Sequence, residues 1–541
     1  MKSMKNIKSP LLILMALLSF SCSDVLNKEP LDELGDDAFW SDPVLIQYYV
    51  NDVYAELLID SYMLNESRSD NSVTANKEKN KLSELRFNYN IETPTSTNDN
   101  IWNDHYEYIR KCNRFLEKID NAPVEESTRL LQKGQIHFLR AMFYFDLVKR
   151  YGGVVLLDKV LTMNDNWNIP RSSEEECYNF ILQDLNKAIE LLPASWDGKD
   201  RGRATKGAAW ALKSRVELYT KQYDAVIKSC EEVYKLGYEL VDGKTPESYR
   251  SIWWSTNKDN KEIIFDKQYK SPDVYNNIMI YHMVTYINNP YGDRGWGGMG
   301  PTQELVDEFE LKDGGQAPTF SDKSNMGTFD INSTKIYENR EPRFYANLVY
   351  HGAQIFLKGD KGPVTVDRYL MDTPDKADGS PSGYNVWKWI DYDNYNYPYA
   401  GASGQDHSTN WIYIRYAEIF LNDAEARLET NDIQGALKAV NVIRARVGLP
   451  DITETNQAKL RELIRKERRL ELAFEDHRFW DVRRWRIGDK TQKKLHGLRF
   501  TSPTEFRVDE IDSRVWDDRL YLNPIPHDEI LRTNIQQNPG F

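Results

Sequence analysis

Cysteine is scarce: 541 residues hold four of them, at positions 22, 112, 177 and 230. Scattered singly, Cys112, Cys177 and Cys230 make neither a metal-ligand pattern nor a disulfide framework, and they read as core thiols. Positive charge is also short. Against 83 Asp and Glu stand 70 Lys and Arg, a net charge of −13, which argues against nucleic acid as a partner, because phosphate recognition needs clustered bases. Signatures of catalysis are missing: there is no HExxH, no GxSxG, no P-loop and no CxxC pair. Leu11 to Phe20 is an apolar run interrupted only by Ser19, and it is too short to span a bilayer.

That run belongs to a targeting segment. Lys2, Lys5 and Lys8 form a positive n-region, the apolar run follows, and Ser19-Phe20-Ser21 leads into Cys22. A secretory signal that ends at cysteine predicts a lipoprotein, with the Cys22 thiol acylated and residues 1–21 removed. Plain secretory cleavage is the alternative, because Leu18 sits one position further back than a usual lipobox leucine. The mature chain then carries 67 bases, 83 acids and a net charge of −16.

What is present is helix. Residues 134–153 predict a central one: Phe138, Ala141, Met142, Phe145 and Val148 share a face, and Leu139, Phe143, Leu147 and Tyr151 widen it. Gly152-Gly153 supplies its stop, and His137 reads as a packed or surface imidazole. Ser41 or Asp42 caps an earlier helix with Pro43 in its first turn. Ser172-Ser173 followed by three glutamates caps a later one. Residues 61–100 are a polar excursion between helices, and long excursions in compact proteins are commonly functional. Ala208 to Tyr219 turns at Lys221-Gln222-Tyr223 into Asp224 to Lys235, and Ile414 to Leu428 turns through 429–432 into Gly435 to Arg446. These alanine-rich pairs of about 34 residues resemble tetratricopeptide repeats.

Residues 237–410 break the pattern with Gly, Pro, Asn and Asp, short strand-like pieces such as Glu262 to Phe265, and one helix from Thr302 to Phe309. Two aromatic patches stand out there, Asn288 to Gly298 and Tyr392 to Ala400. From Arg465 to Trp485 acids and bases alternate at helical spacing, which predicts an ion-pair ladder supporting a packed helix. The same stretch places Glu475, Asp476 and Asp481 near His477, an arrangement that a metal or acid–base site would also use. The ladder is the preferred reading. Residues 487–541 read as irregular.

Several stretches together resemble the SusD/RagB family of outer-membrane lipoproteins. They are Phe138-Leu139-Arg140-Ala141 through Asp146 to Arg150-Tyr151-Gly152-Gly153, Pro301 to Asp307, Glu341-Pro342-Arg343-Phe344, and Ile414 to Glu418 with Asn422 and Ala424-Glu425-Ala426. Asn441 with Ile443-Arg444 and Arg446, Glu471 to Trp485, Pro524-Ile525-Pro526 and Gln537 to Phe541 follow in order. Cys22-Ser23-Asp24 with Leu26 and Pro30 resembles the family's mature start. The resemblance implies a mainly α fold, a tetratricopeptide-like helical superhelix with a loop-rich ligand-binding region containing short strands. It divides the chain into a signal peptide (1–21), an N-terminal helical region (22–236) and a C-terminal region (237–541). The last comprises a loop-rich part (237–410), a helical part (411–486) and an irregular tail (487–541).

It also implies a role. Members bind glycans at the cell surface and sit as a lid on a SusC-like TonB-dependent transporter, so the expected place is the outer membrane, lipid-anchored and surface-facing. No catalytic residue, cofactor or metal is implied, and Arg140, Asp146 and Arg150 become scaffold residues. Residue type nominates the ligand contacts. Trp296 and Tyr291 are stacking platforms for the C–H face of a sugar, and Asp293 and Arg294 are hydroxyl partners. Asp70, Arg86, Tyr89 and Asn100 come from the polar excursion, and Tyr395 and Tyr397 are further platforms. A net charge of −16 speaks against strongly anionic glycans unless local loop charge reverses it. Two other readings stay open, a secreted glycoside hydrolase on a helical scaffold and a surface binder of peptides or glycopeptides.

Overall fold

The computed structural model describes residues 35–59, 64–74, 95, 100–270, 273–276, 278–282, 284, 297–355, 363–371, 379–391, 408–491 and 493–541. Helix α1 (Pro43–Ala55) starts where Asp42 accepts from the Val44 amide at 2.8 Å, and it buries Ile46, Val50 and Val53. The short strand β1 (Ser72–Thr74) follows. Helices α2 (Trp102–Lys118), α3 (Glu126–Tyr151), α4 (Glu174–Leu191), α5 (Lys206–Tyr219) and α6 (Tyr223–Tyr234) then build the first half of the scaffold.

The central helix of the sequence is α3. Its apolar residues face several neighbours at once: Tyr144 meets Phe180 of α4, Phe145 meets Tyr219 of α5, and Phe138 meets Phe265 beyond them. Gly152 ends it at φ +71°, a conformation that a side chain resists. Arg140 ties three helices together. It donates to Asp184 of α4 through Nε (2.7 Å) and Nη2 (2.8 Å) and to Asn113 of α2 through Nη1 (2.7 Å). His137 is packed, its Nδ1 lying 2.7 Å from the same Asp184. Asp146 pairs with Lys149 and Arg150 of its own helix and with His105 of α2. The chain terminus closes the exposed end of α3, where Asn538 Nδ2 and Arg171 Nη2 donate to the Tyr151 carbonyl.

Local signals predict the caps well. Ser173 Oγ accepts from the Glu176 amide at 3.2 Å while the Glu176 carboxylate accepts from the Ser173 amide at 2.8 Å, a complete capping box for α4. Ser173→Ala is expected to cost about 1 kcal/mol, measured as a lowered urea midpoint at unchanged slope. Cys112, Cys177 and Cys230 are buried free thiols, and burial raises the pKa of each.

Strand β2 (Ile263–Lys267) runs antiparallel to β4 (Trp411–Arg415), with Lys267 opposite Trp411 and Ile263 opposite Arg415. The loop-rich excursion between them therefore leaves and returns at one place. Strand β3 (Met299–Pro301) lies within it. Directly after β4 come α7 (Tyr416–Glu429) and α8 (Ile433–Arg446). The pairs α5–α6 and α7–α8 are the two repeats read from sequence, and their turns match bond for bond. Lys221 and Asn431 both adopt left-handed φ. The amides of Gln222 and Asp432 reach back to the carbonyls of Glu217 and Arg427. Far apart in sequence, the pairs stack in space: Tyr234 lies on Phe420 at 5.0 Å, and Arg215 donates to Glu418 at 2.6–2.7 Å.

Three expectations need correction. The helix at Thr302 spans only Gln303–Val306, because the Asp307 carboxylate turns to accept from the Phe320 and Ser321 amides. The charged stretch is not one helix with a ladder along it. Helix α9 (Gln457–Glu471) ends, Phe474 and Asp476 take left-handed φ, and α10 (Arg478–Arg484) begins afresh. Most of its charges reach across the fold. Arg484 pairs with Glu425, and Glu467 with Arg343 and Arg444, while Arg468 joins the two helices by pairing with Asp481. Finally, the tail read as irregular carries a hairpin, β5 (Lys494–Phe500) against β6 (Glu505–Ser513), with a bulge at Leu495/His496. Leu495, Leu498, Phe500, Phe506 and Val508 face the core, and that burial supplies the order.

Glu471 is the hub of the charges. It accepts from Arg415 Nη1 (2.6 Å), Arg343 Nη1 (3.1 Å) and Arg446, all fully or nearly fully buried. Glu262, Glu341 and Glu475 balance the same arginines, and Lys388 donates to Glu475 at 2.5 Å. The stretches that carry the family resemblance, from 341–344, 414–418, 441–446 and 471–485, thus meet in one ionic core. It fastens the loop-rich excursion to the helical scaffold.

A second buried pair makes acid sensitivity testable. Glu425 sits between Arg484 and the Trp485 indole N–H, at 2.5–2.8 Å. Although burial opposes ionisation, the charge and hydrogen bonds of Arg484 prevail and hold its pKa down, from 4.5 to about 2. In that window the unfolded chain binds the extra proton, so this contribution is full above about pH 4.5 and is lost as pH falls toward about 2. Glu425→Gln is expected to flatten the fall of the urea midpoint between those values.

Candidate functional site

The polar excursion and the aromatic patch at 288–298 meet at one ribbon. β1 pairs antiparallel with β3, with Ser72 opposite Pro301 and Thr74 opposite Met299. Thr74 leads into 75–99 and Met299 follows 288–298, so both segments depart from the same end of the ribbon. A third segment is anchored beside it: Asn385 Nδ2 donates to the carbonyls of Gly297 and Met299, and residues 392–400 follow a few positions on. Gly297, at φ +56°, redirects the chain immediately after Trp296. Gly298 is required for space, because a Cβ there would lie 2.3 Å from the Tyr281 ring.

Asp70 and Asn100 are the candidate contacts within the described residues; Tyr291, Asp293, Arg294, Trp296, Arg86, Tyr89, Tyr395, Tyr397 and the lipid-attachment residue Cys22 lie outside them. Asp70 is 6% exposed. Its carboxylate accepts from Arg478 Nε (2.7 Å) and Nη2 (2.9 Å) and pairs with Arg469 at 3.1 Å. Burial raises its pKa, but the two guanidiniums outweigh that and hold it far below the usual carboxylate range. The structure thus places Asp70 beneath the ribbon, in a supporting position. Asn100 is exposed, and its Oδ1 accepts from the Trp102 amide at 3.2 Å at the start of α2.

Sequence reasoning did not find the residues that hold the ribbon. Arg469 Nε donates to Asn71 Oδ1 at 2.7 Å, and Arg514 donates to the carbonyls of Ser67, Ser69 and Ser72 at 2.6–3.1 Å. Thr302 Oγ1 donates to the Asp70 carbonyl at 2.7 Å. Arginines some 400 positions later in the chain therefore clamp residues 67–72, a relation that no local pattern carries.

His477 faces arginines as well as acids. Its Nδ1 lies 3.5 Å from Arg468 Nη2 and its Nε2 4.0 Å from Glu418. Burial first, then Arg215, Arg468 and Arg415, push its pKa well below the ordinary histidine value, so the imidazole is neutral. Among the described residues no group of three or more His, Cys, Asp or Glu is arranged to hold a metal ion. Also among them, no helix is long and apolar enough to cross a membrane.

Comparison with known proteins agrees with this architecture. Residues 261–541 match a family profile described as the SusD family, and residues 26–218 match one described as starch-binding associating with outer membrane. A crystal structure of a SusD-like protein from Bacteroides fragilis is 66% identical, covers 95% of this chain and 100% of its own, and superposes with a TM-score of 0.90. A SusD-like carbohydrate binding protein from the same species is 25% identical, with 91% and 98% covered and a TM-score of 0.74. A SusD-like protein of Formosa agariphila is 26% identical over 535 residues, 94% of this chain and 97% of its own. With more than half of its length matched by the family profile, and a close relative along nearly all of it, this chain belongs to the SusD family.

Proposed function

We propose that this protein is a cell-surface glycan-binding lipoprotein that captures oligosaccharide or polysaccharide and passes it to a SusC-like TonB-dependent outer-membrane transporter. One observation carries the reading. The ribbon of β1 and β3 launches the polar excursion and the Trp296 patch from the same end, over a base that Arg469, Arg478 and Arg514 make rigid. Such a site needs platforms and hydrogen-bond partners held apart on a stiff scaffold, and it needs no reacting group. A relative described as carbohydrate binding, similar along nearly the whole chain, supports the ligand class. Cys22 supplies the anchor, and acylation there places the protein on the outer membrane.

Affinity purification of the anchored protein from outer membranes is expected to bring down a TonB-dependent β-barrel, and Cys22→Ala is expected to release the protein from the membrane. Absence of any such barrel would overturn the transporter part. The hydrolase alternative predicts new reducing ends from the captured glycan; binding without turnover rejects it. Retention of peptides in place of glycans would favour the peptide-binding alternative.

A further inference from the structure

A pocket lies away from the ribbon, and it holds a buried cation with no counter-ion among the described residues. It is a cavity of about 510 Å³ between the short helix Pro246–Arg250 and the strands Leu348–Val349 and Gln354–Ile355. Trp254, Trp387, Tyr345 and Tyr350 give it aromatic walls. Arg250 lines it and is only 7% exposed. Its guanidinium lies over the Trp387 ring at 4.7 Å and near Trp254 at 5.8 Å. Among the described residues Nε and Nη1 have no hydrogen-bond acceptor, and the Trp254 indole N–H has none either.

Among the described residues no carboxylate comes within ion-pair distance of Arg250. Glu247 and Asp391 attract it from further off, and Asp391 already accepts from the Ser255 amide and hydroxyl at 2.6–2.7 Å. Other buried arginines have partners: Arg343, Arg415 and Arg446 are matched by acids, and Arg340 donates to main-chain carbonyls. A buried charge left unmatched is destabilising, so the pocket suits something that arrives with a negative charge. Burial lowers the guanidinium pKa only to about 10, so it stays charged at neutral pH.

We propose that this pocket binds an anionic sugar residue, with its carboxylate or sulfate ester answering the Arg250 charge and its ring against the Trp and Tyr walls. The inference rests on the glycan-binding reading in taking the ligand to be a saccharide. It locally reverses the expectation that a chain of net charge −16 avoids anionic glycans.

Calorimetric titration of the purified protein tests it with three disaccharides: one of uronic acid, one carrying a sulfate ester and one neutral. At least one charged disaccharide is expected to bind tenfold or more tighter than the neutral one, and which does so identifies the substituent. Arg250→Gln is expected to remove that preference, and added salt to weaken it. Trp254→Phe, which keeps an aromatic wall, checks the pocket independently of any folding defect in the first variant and is expected to weaken binding severalfold. Equal affinity for charged and neutral disaccharides, or an unchanged preference in folded Arg250→Gln, overturns the proposal. Retention of a neutral polysaccharide through Trp296 alongside either result would leave the glycan-binding reading standing.

Discussion

Glu471→Gln is expected to lower the unfolding free energy by about 3–5 kcal/mol, the cost of breaking a buried ion pair from one side. Glutamine keeps the shape but leaves Arg415, Arg446 and Arg343 short of one shared counter-charge. Water cannot replace it, because each of these guanidiniums is buried. The readout is the urea midpoint. A control lies on the same helix: Glu462 is exposed and approaches Arg465 at 3.4 Å, so Glu462→Gln is expected to change stability by about 0.5 kcal/mol or less. Equal effects of the two substitutions would contradict the hub. Loss of the hub is also expected to loosen the excursion first, because Arg343, which Glu471 holds, lies within it. Faster amide exchange in 341–355 than in α3 would show this.

The second large effect concerns binding. Replacing Trp296 and Tyr291 together by alanine is expected to weaken glycan affinity about a hundredfold, about 3 kcal/mol, with the unfolding midpoint unchanged. A sugar presents a flat C–H face, and an indole or phenol covers it with large, stiff apolar area. Gly297 and Gly298 serve that role from the main chain, the first by its left-handed turn and the second by making room for Tyr281. On the proposed reading the binding energy resides in Trp296 and Tyr291 and the rigidity in the ribbon. Arg478→Met, which frees one side of Asp70, is therefore expected to lower both stability and affinity, whereas the aromatic substitutions lower affinity alone. A double-alanine variant that binds as the parent does would remove the loop from the site.

The scaffold was legible because its causes are local. Asp42, Ser173 and Gly152 act within a turn of their own positions, and the apolar spacing of α3 records its burial directly. The two repeats were legible because each is a complete helix pair. Their stacking was not, since Tyr234 and Phe420 come from opposite ends of a long excursion. The charged stretch misled for a related reason. Alternating acids and bases fit an exposed helix face, yet Glu467 and Glu471 turn inward to Arg343 and Arg415, far away in sequence, and Arg468 to Asn422 of α7. Asp70 shows the same limit from the other side. A polar residue in a polar excursion reads as a ligand contact, and only Arg469 and Arg478 reveal a supporting position. Hairpin β5–β6 was missed because Lys494, His496, Gly497 and Arg499 dilute its alternation. Its inward residues are clear only once the core they fill is known.

Glycan capture by the segments that leave the ribbon is the central claim, and affinity electrophoresis through gels containing single polysaccharides tests it most directly. The parent protein is expected to be retarded by at least one polysaccharide, the Trp296→Ala/Tyr291→Ala variant to migrate as in a plain gel, and the polysaccharide to be recovered uncut. Unretarded migration of the parent across a broad panel, or equal retardation of parent and variant, would contradict it.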